Sequence, residues 1–330
     1  MAEAAEVSTS IVSLVANGKD AGRVSAPTRL RVLKAIEHLG YRVDTGARAL
    51  ATGQRQAIAL LIPDIGDPFF GQLARGVAHS LGGHYQLVLV VAGDAGTSSP
   101  RLEDVLALRV DGLLIDSTAA AILGSARPPC PVVLLDAPGV DQATASVEFD
   151  VAAGAAELVD HLMSLGHRAI GYIDWDRTSA TFEVRRQTIV DRLGGPADAG
   201  TSFHLEESAV SIDAARRAFE AAWGRWHAAG VTAVICATDL QAYGLLDAAR
   251  ALGVAIPGMV SVAAFNDLEL SRVVVPSLTT VALPPFELGR SSANLLRRII
   301  EGRPVRRHRR IRTRLVIRES TASARTVPGV

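Results

Sequence analysis

The chain has 330 residues, 34 Lys and Arg against 34 Asp and Glu, and 48% apolar residues of which few are aromatic. That length exceeds one average domain, and the balanced charge gives the chain as a whole no preference for an acidic partner. The absence of an 18-residue apolar run excludes a membrane-spanning helix. The opening MAEAAEVSTS has neither the basic segment nor the apolar core of an export signal, so a cytoplasmic location is expected. Cys130 and Cys236 sit beside apolar runs far apart in sequence and read as buried, reduced thiols.

The first 56 residues differ from the rest. They carry eight basic residues against five acidic ones, the sign a DNA-binding segment needs. Ser8 is placed to cap a helix running to about Ala16, with Ile11, Val12 and Val15 on one face. Ser25 is placed to cap a second helix with Pro27 in its first turn and an apolar stripe of Val32, Leu33, Ile36 and Leu39, stopped at Gly40. The small-residue segment TGARALA at 45–51 follows.

From Gln56 onward, strand-like runs alternate with helical ones. AIALLI at 57–62 precedes a helix over Phe69–Leu81, then come QLVLVV at 86–91, DGLLID at 111–116 and PVVLLD at 131–136. A second series follows with AIGYI at 169–173, VTAVICA at 231–237 and MVSVAAF at 259–265. Strands separated by helices imply parallel sheets with crossover connections, and two series imply an α/β fold of two doubly wound lobes. Ligands of such sheets bind at the carboxyl ends of the strands, which makes the cleft between the lobes the expected site. Near the end, arginines from Arg310 alternate with Ile311, Thr313, Leu315 and Ile317, the period of a single amphipathic edge strand.

Phosphate-loop, dinucleotide, zinc-protease and serine-hydrolase motifs are absent, so neither an enzyme nor a cofactor is expected. Asp64 and Asp67 in PDIGDPFF have the look of paired carboxylates, but no base or metal cluster accompanies them.

Three collinear stretches resemble the lactose/galactose repressor (LacI/GalR) family: residues 2–53, IALLIPDIGDPFFGQLARGV, and the late series from LGHRAIGYI through TDLQAYGLLDAARALGV and SVAAFNDLELSRVVVPSLTTV to VIREST. The resemblance implies a helix-turn-helix headpiece with a shortened first helix (1–43), a hinge helix and linker (44–56), and a periplasmic-binding-protein-like sensor (57–330). The sensor's lobes are expected at about 57–150 with 283–320, and at about 151–282. It further implies a regulator, most often a repressor, that binds double-stranded operator DNA as a homodimer. Thr9 and Ser10 fall at the base-reading positions, Ser8 and Ser13 near phosphate, and Leu50 with Ala47 and Arg48 at the place that wedges the minor groove.

For the sensor, the resemblance places Phe69, Phe70, Asp136, Arg185, Thr238, Asp239 and Asn266 at the effector. A sugar or sugar derivative is favoured, with a nucleoside-like molecule open because Thr238 and Asn266 stand where many members carry Asn and Asp. Asp239 also reads as a helix cap, and Phe69 and Phe70 as core. The headpiece departs from the family at Glu6 (usually Gly), Leu14 (often Arg) and Asp44 (often Asn), changes that predict weaker DNA affinity. A sugar-binding protein of the periplasmic type and a regulator with a degenerate headpiece are the alternatives.

Overall fold

The computed structural model of the chain describes residues 1–16, 20–39, 55–92, 101–124, 128–139, 143–194 and 200–325. It divides into two compact units, Met1–Gln56 and Ala57–Val330.

In the first unit, α1 (Thr9–Ala16) and α2 (Ala26–His38) follow one hydrogen-bonded turn, in which Ala5 N–H donates to the Met1 carbonyl at 3.0 Å. Ser25 caps α2 by accepting from Thr28 N–H at 3.4 Å. Ala5, Val12, Val15, Val32 and Ala35 form a small core. The expected stripe of α2 is corrected: Leu33 and Leu39 are 42% and 51% exposed, whereas Val32 and Ala35 are buried. Positions three apart share a helix face, and Leu33 lies about 100° round from Val32. Glu6 has φ +52°, a left-handed conformation that costs a residue with a β-carbon about 1–2 kcal/mol. The expected hinge residues Ala47, Arg48 and Leu50 lie outside the described residues.

The second unit has two lobes. In the first, β1 (Ala57–Ile62), β2 (Gln86–Val91), β3 (Gly112–Asp116), β4 (Val132–Leu135), β5 (Ala145–Phe149) and β11 (His308–Ile311) form a parallel sheet of order β11-β5-β4-β3-β1-β2. In the second, β6 (Ala169–Trp175), β7 (Ser202–Ser208), β8 (Ala233–Cys236), β9 (Ser261–Asn266), β10 (Thr279–Ala282) and β12 (Arg314–Val316) have the order β12-β10-β9-β8-β6-β7, parallel except for β12. β1 and β9 are buried at every residue, as covered parallel strands must be.

Helices α3 (Pro68–Leu81), α4 (Leu102–Ala107) and α9 (Pro285–Ile300) accompany the first sheet, and α5 (Val151–Ser164), α6 (Ala180–Leu193), α7 (Ile212–Ala228) and α8 (Asp239–Ala251) the second. α3 and α9 touch backbone to backbone: a β-carbon on Gly76 would fall 2.0 Å from the Phe286 carbonyl oxygen, and one on Gly289 would fall 2.1 Å from that of Leu73. Gly244 on α8 plays the same part against Ile212 of α7, at 2.1 Å.

The chain passes between the lobes at Asp150, between β10 and α9, and between β11 and β12. The first and third passages are stitched together: Asp150 N–H donates to Ile311 O at 2.8 Å, and the Thr313 hydroxyl donates to Asp150 O at 2.9 Å. Two expectations are corrected here. The tail is two short strands, not one, with β11 on the first sheet and β12 antiparallel to β10 on the second. Consequently the chain from 314 onward belongs to the second lobe, where Ser320 donates to Val262 O at 2.6 Å and Ala324 N–H to Leu165 O at 2.8 Å. The switch is made at Thr313, which packs so closely on α5 that a β-carbon on Gly154 would meet its hydroxyl at 2.7 Å.

Candidate binding cleft

Strand ends meet across a cavity of about 250 Å³ between the lobes. The first lobe supplies Pro63, Asp64, Asp67, Phe69 and Phe70 after β1, Asp116 at the end of β3 with Thr118 after it, and Asp136 after β4. The second supplies Trp175 at the end of β6 with Arg177 after it, Thr181, Phe182 and Arg185 on α6, Val210 and Ser211 after β7, Thr238 after β8 and Asn266 from β9.

The first wall is acidic. Asp67 caps α3, its Oδ1 accepting from Phe69 N–H at 2.8 Å, and burial pushes its carboxyl up to about 6. Asp116 accepts from Thr118 through both the backbone N–H, at 3.0 Å, and the hydroxyl. Burial raises the Asp116 carboxyl to about 7, and the neighbouring Asp136 and Asp67 push the same way. Asp136 has both oxygens taken, Oδ1 by Phe149 N–H at 3.2 Å and Oδ2 by the Thr181 hydroxyl at 2.8 Å. Thr181 belongs to the other lobe, so this bond bridges the cleft. Phe69 meets Phe70 and Phe149 edge-on, with centroids 5.2 and 6.3 Å apart. Both phenylalanines are therefore core and cleft lining at once.

The second wall carries a cation among aromatic rings. Arg185 is only 3% exposed. Its Nη1 donates to Ala237 O at 2.6 Å, and its guanidinium carbon lies 4.6 Å from the Phe182 ring centroid and 5.0 Å from that of Phe265. Its Nε–H is buried without an acceptor, a costly state for a charged donor. Burial lowers the pKa of the guanidinium and the Asp136 carboxylate opposes that shift; arginine remains charged regardless. Trp175 lies against Phe182 at 5.1 Å, with Arg177 over the Trp175 ring at 5.8 Å. Thr238 caps α8, accepting from Gln241 N–H at 3.3 Å. Asn266 lines the cavity from a backbone with φ +123°.

Asp239 is a correction. It is completely buried and stands outside the cavity lining. Its carboxylate accepts from the Thr280 hydroxyl at 2.7 Å, Leu268 N–H at 2.7 Å and the Ser271 hydroxyl at 2.6 Å. All three donors belong to the 268–280 segment, so the carboxylate fastens α8 to that segment. Burial pushes its carboxyl up to about 7.

Of the residues expected at the effector, Phe69, Phe70, Asp136, Arg185, Thr238 and Asn266 meet at this one cavity. Sequence reading had no ligand role for Asp67, Asp116, Trp175, Thr181 or Phe182. Asp116 and Trp175 carried a usable signal, since each ends an apolar strand on the side where such sheets bind ligands.

In the first unit, Ser8, Thr9, Ser10 and Ser13 are exposed on α1 or just before it. Ser8 Oγ accepts weakly from Ile11 N–H at 3.4 Å and lies 2.8 Å from Ser10 Oγ, the capping part foreseen for it.

Comparison with known proteins gives a consistent result. Residues 1–44 match the model for "Bacterial regulatory proteins, lacI family", and residues 159–321 match a "Periplasmic binding protein-like domain". The transcriptional regulator MalR of Streptomyces coelicolor is 32% identical, over 98% of this chain and 96% of its own length. The Lac repressor dimer bound to operator and the anti-inducer ONPF superposes with a TM-score of 0.82 at 26% identity, covering 97% of each chain. The CelR–cellobiose complex does so with a TM-score of 0.71 at 28% identity, over 97% of this chain and 98% of that one. Among the described residues, no helix is long and apolar enough to cross a membrane.

Proposed function

Because the chain belongs to the lacI family of bacterial regulatory proteins, we propose that it is a cytoplasmic repressor without enzymatic activity, whose hold on operator DNA is set by a small polyhydroxylated molecule bound between the sensor lobes. The observation that carries this reading is Arg185, a buried cation held over two aromatic rings in the lining of the interlobe cavity. An oxygen-rich ligand accepts from the edge of the guanidinium that lines the cavity. The Asp116 carboxylate opposite, which spends only Oδ1 on Thr118, accepts its hydroxyls, and Trp175 and Phe182 cover its apolar ring face. A lactose-type regulator on its operator and a cellobiose-bound relative are the matching precedents.

Residues 1–43 read DNA, 44–56 form the hinge and 57–330 sense. Thr9 and Ser10 face base edges, Ser8 and Ser13 face phosphate, and Ala47, Arg48 and Leu50 enter the minor groove. Two chains pair through their sensor units, so that the two headpieces meet the halves of a near-palindromic site. The exposed apolar run of Leu270, Val273 and Val275 suits such self-pairing. The ligand acts by binding one lobe arrangement more tightly than the other.

Gel-shift titration with the DNA flanking the gene tests the regulator reading: saturable, sequence-dependent binding is expected at low salt, and its complete absence overturns the reading. Thermal-shift titration with sugars tests the cleft. Any ligand that raises the melting temperature of the wild type should lose that effect in Arg185→Ala, and an unchanged shift would mean the cleft is elsewhere.

A further inference from the structure

The two walls of the cavity carry opposite charge. All the acids that line it come from the first lobe and none from the second, among the described lining residues. Asp136 is already answered, with a donor on each oxygen and the Arg185 charge opposite. Asp67 and Asp116 are not. Each spends Oδ1 on a neighbour two residues along the chain, and neither has a described protein cation paired with it. Both are at least nine-tenths buried, at 8% and 3% exposure. Two buried carboxylates facing one cavity repel each other and lose hydration, and a cation between them relieves both costs. The second wall asks for the reverse. The Arg185 guanidinium in its lining calls for an oxygen acceptor, while Thr238 and Asn266 offer only neutral groups.

We infer that the effector is a small polyhydroxylated ring bearing a protonated amine, an amino sugar in class, seated with its amine toward Asp67 and Asp116 and a ring or hydroxyl oxygen toward Arg185. This rests on the sensor reading above and narrows it. The cavity of about 250 Å³ suits one ring, lying below the ~300–1,000 Å³ of pockets that take drug-sized ligands. A neutral hexose leaves the Asp67–Asp116 pair without a countercharge, and an anionic sugar phosphate adds to the repulsion on that wall.

The test is calorimetry and thermal shift on the full chain at neutral pH. The probes are glucosamine, galactosamine and mannosamine, each beside its parent hexose and its N-acetyl derivative. At least one amino sugar should bind tenfold or more tightly than both of its uncharged counterparts. Asp116→Asn should shrink that preference to threefold or less, and so should Asp67→Asn, which keeps the oxygen that caps α3. A preference that survives both substitutions overturns the placement of the amine. Equal or tighter binding of the hexoses or N-acetyl sugars, lost in Arg185→Ala, overturns the amino-sugar assignment and leaves the sensor reading standing. No response to any of the nine probes overturns the assignment as well, while operator binding continues to decide the regulator reading on its own.

Discussion

The two sensor lobes are built on one plan and furnished in opposite ways. Each has six strands, the same order from its outer edge to its central strand, and a cleft at the strand carboxyl ends. Yet the positions that close the strands of the first lobe are aspartates, and those of the second are Trp175, Thr238 and Asn266. The lobes also end differently, with β11 parallel to its neighbour and β12 antiparallel. The repeat of topology therefore sets where a ligand sits, and the few residues after each strand set what it must be.

The largest effects should come from breaking each lobe at its tightest helix crossing. Gly76→Ala in the first lobe and Gly244→Ala in the second each drive a β-carbon into a neighbouring carbonyl, at 2.0 and 2.1 Å. Overpacking at such sites costs about 3 kcal/mol, read by urea denaturation. If the lobes unfold as one cooperative unit, both variants lower a single transition equally; two separated transitions would show that they are independent.

Next in size is the bond between the walls. Thr181→Val removes the hydroxyl that reaches across to Asp136 and leaves a buried carboxylate oxygen without its donor, a loss of about 1–3 kcal/mol. A fall in stability of that order is expected by denaturant titration, and an unchanged midpoint would mean that the walls are held without it.

A pH titration sharpens the contrast between the walls. Asp67 and Asp116 have carboxyls raised from 3.8 to about 6 and about 7 in the folded protein. The folded state therefore holds protons that the unfolded chain releases. The stabilisation is whole below the unfolded value and is lost as pH rises through the folded ones. The melting temperature of the ligand-free protein should fall between pH about 4 and about 7. Asp116→Asn should flatten part of that fall while leaving the share from Asp239 of the second lobe, whose carboxyl is raised to about 7. The smallest effect is expected at Val275, 91% exposed. Val275→Asp should alter the stability of a single chain by no more than about 0.5 kcal/mol, while weakening self-association in analytical ultracentrifugation.

Much of this arrangement was legible in the sequence, because strands buried on both faces read as apolar runs whatever the helices between them do. β5, β7 and β10 are not read as strands. β5 carries Ser146 and Glu148, β10 opens on Thr279 and Thr280, and β7 is an edge strand with exposed, polar positions, so none makes such a run. The arginine-rich tail misled for a related reason. Alternation marks a strand but not its partner, and nothing in IRTRLVI reveals that Thr313 turns to Asp150 and hands the chain to the other sheet. Asp239 was placed at the ligand by register alone, and only three-dimensional packing shows three donors on its far side. Asp67 is visible in the sequence only as half of a carboxylate pair without a base or metal beside it. That it lines the same cavity as Asp116, which lies on a strand far along the chain, is a tertiary fact.

The stitching at Asp150 and Thr313 has a mechanical consequence. Two bodies joined by one cord move freely, but three short cords, two of them tied to each other, leave essentially one axis of turning. Any molecule that draws the walls together must then spend its effect on that single swing. The first strand of the first lobe begins at Ala57, where the first unit of the chain ends. A change at the knot should thus scale the response to every ligand alike, whatever the cleft selects.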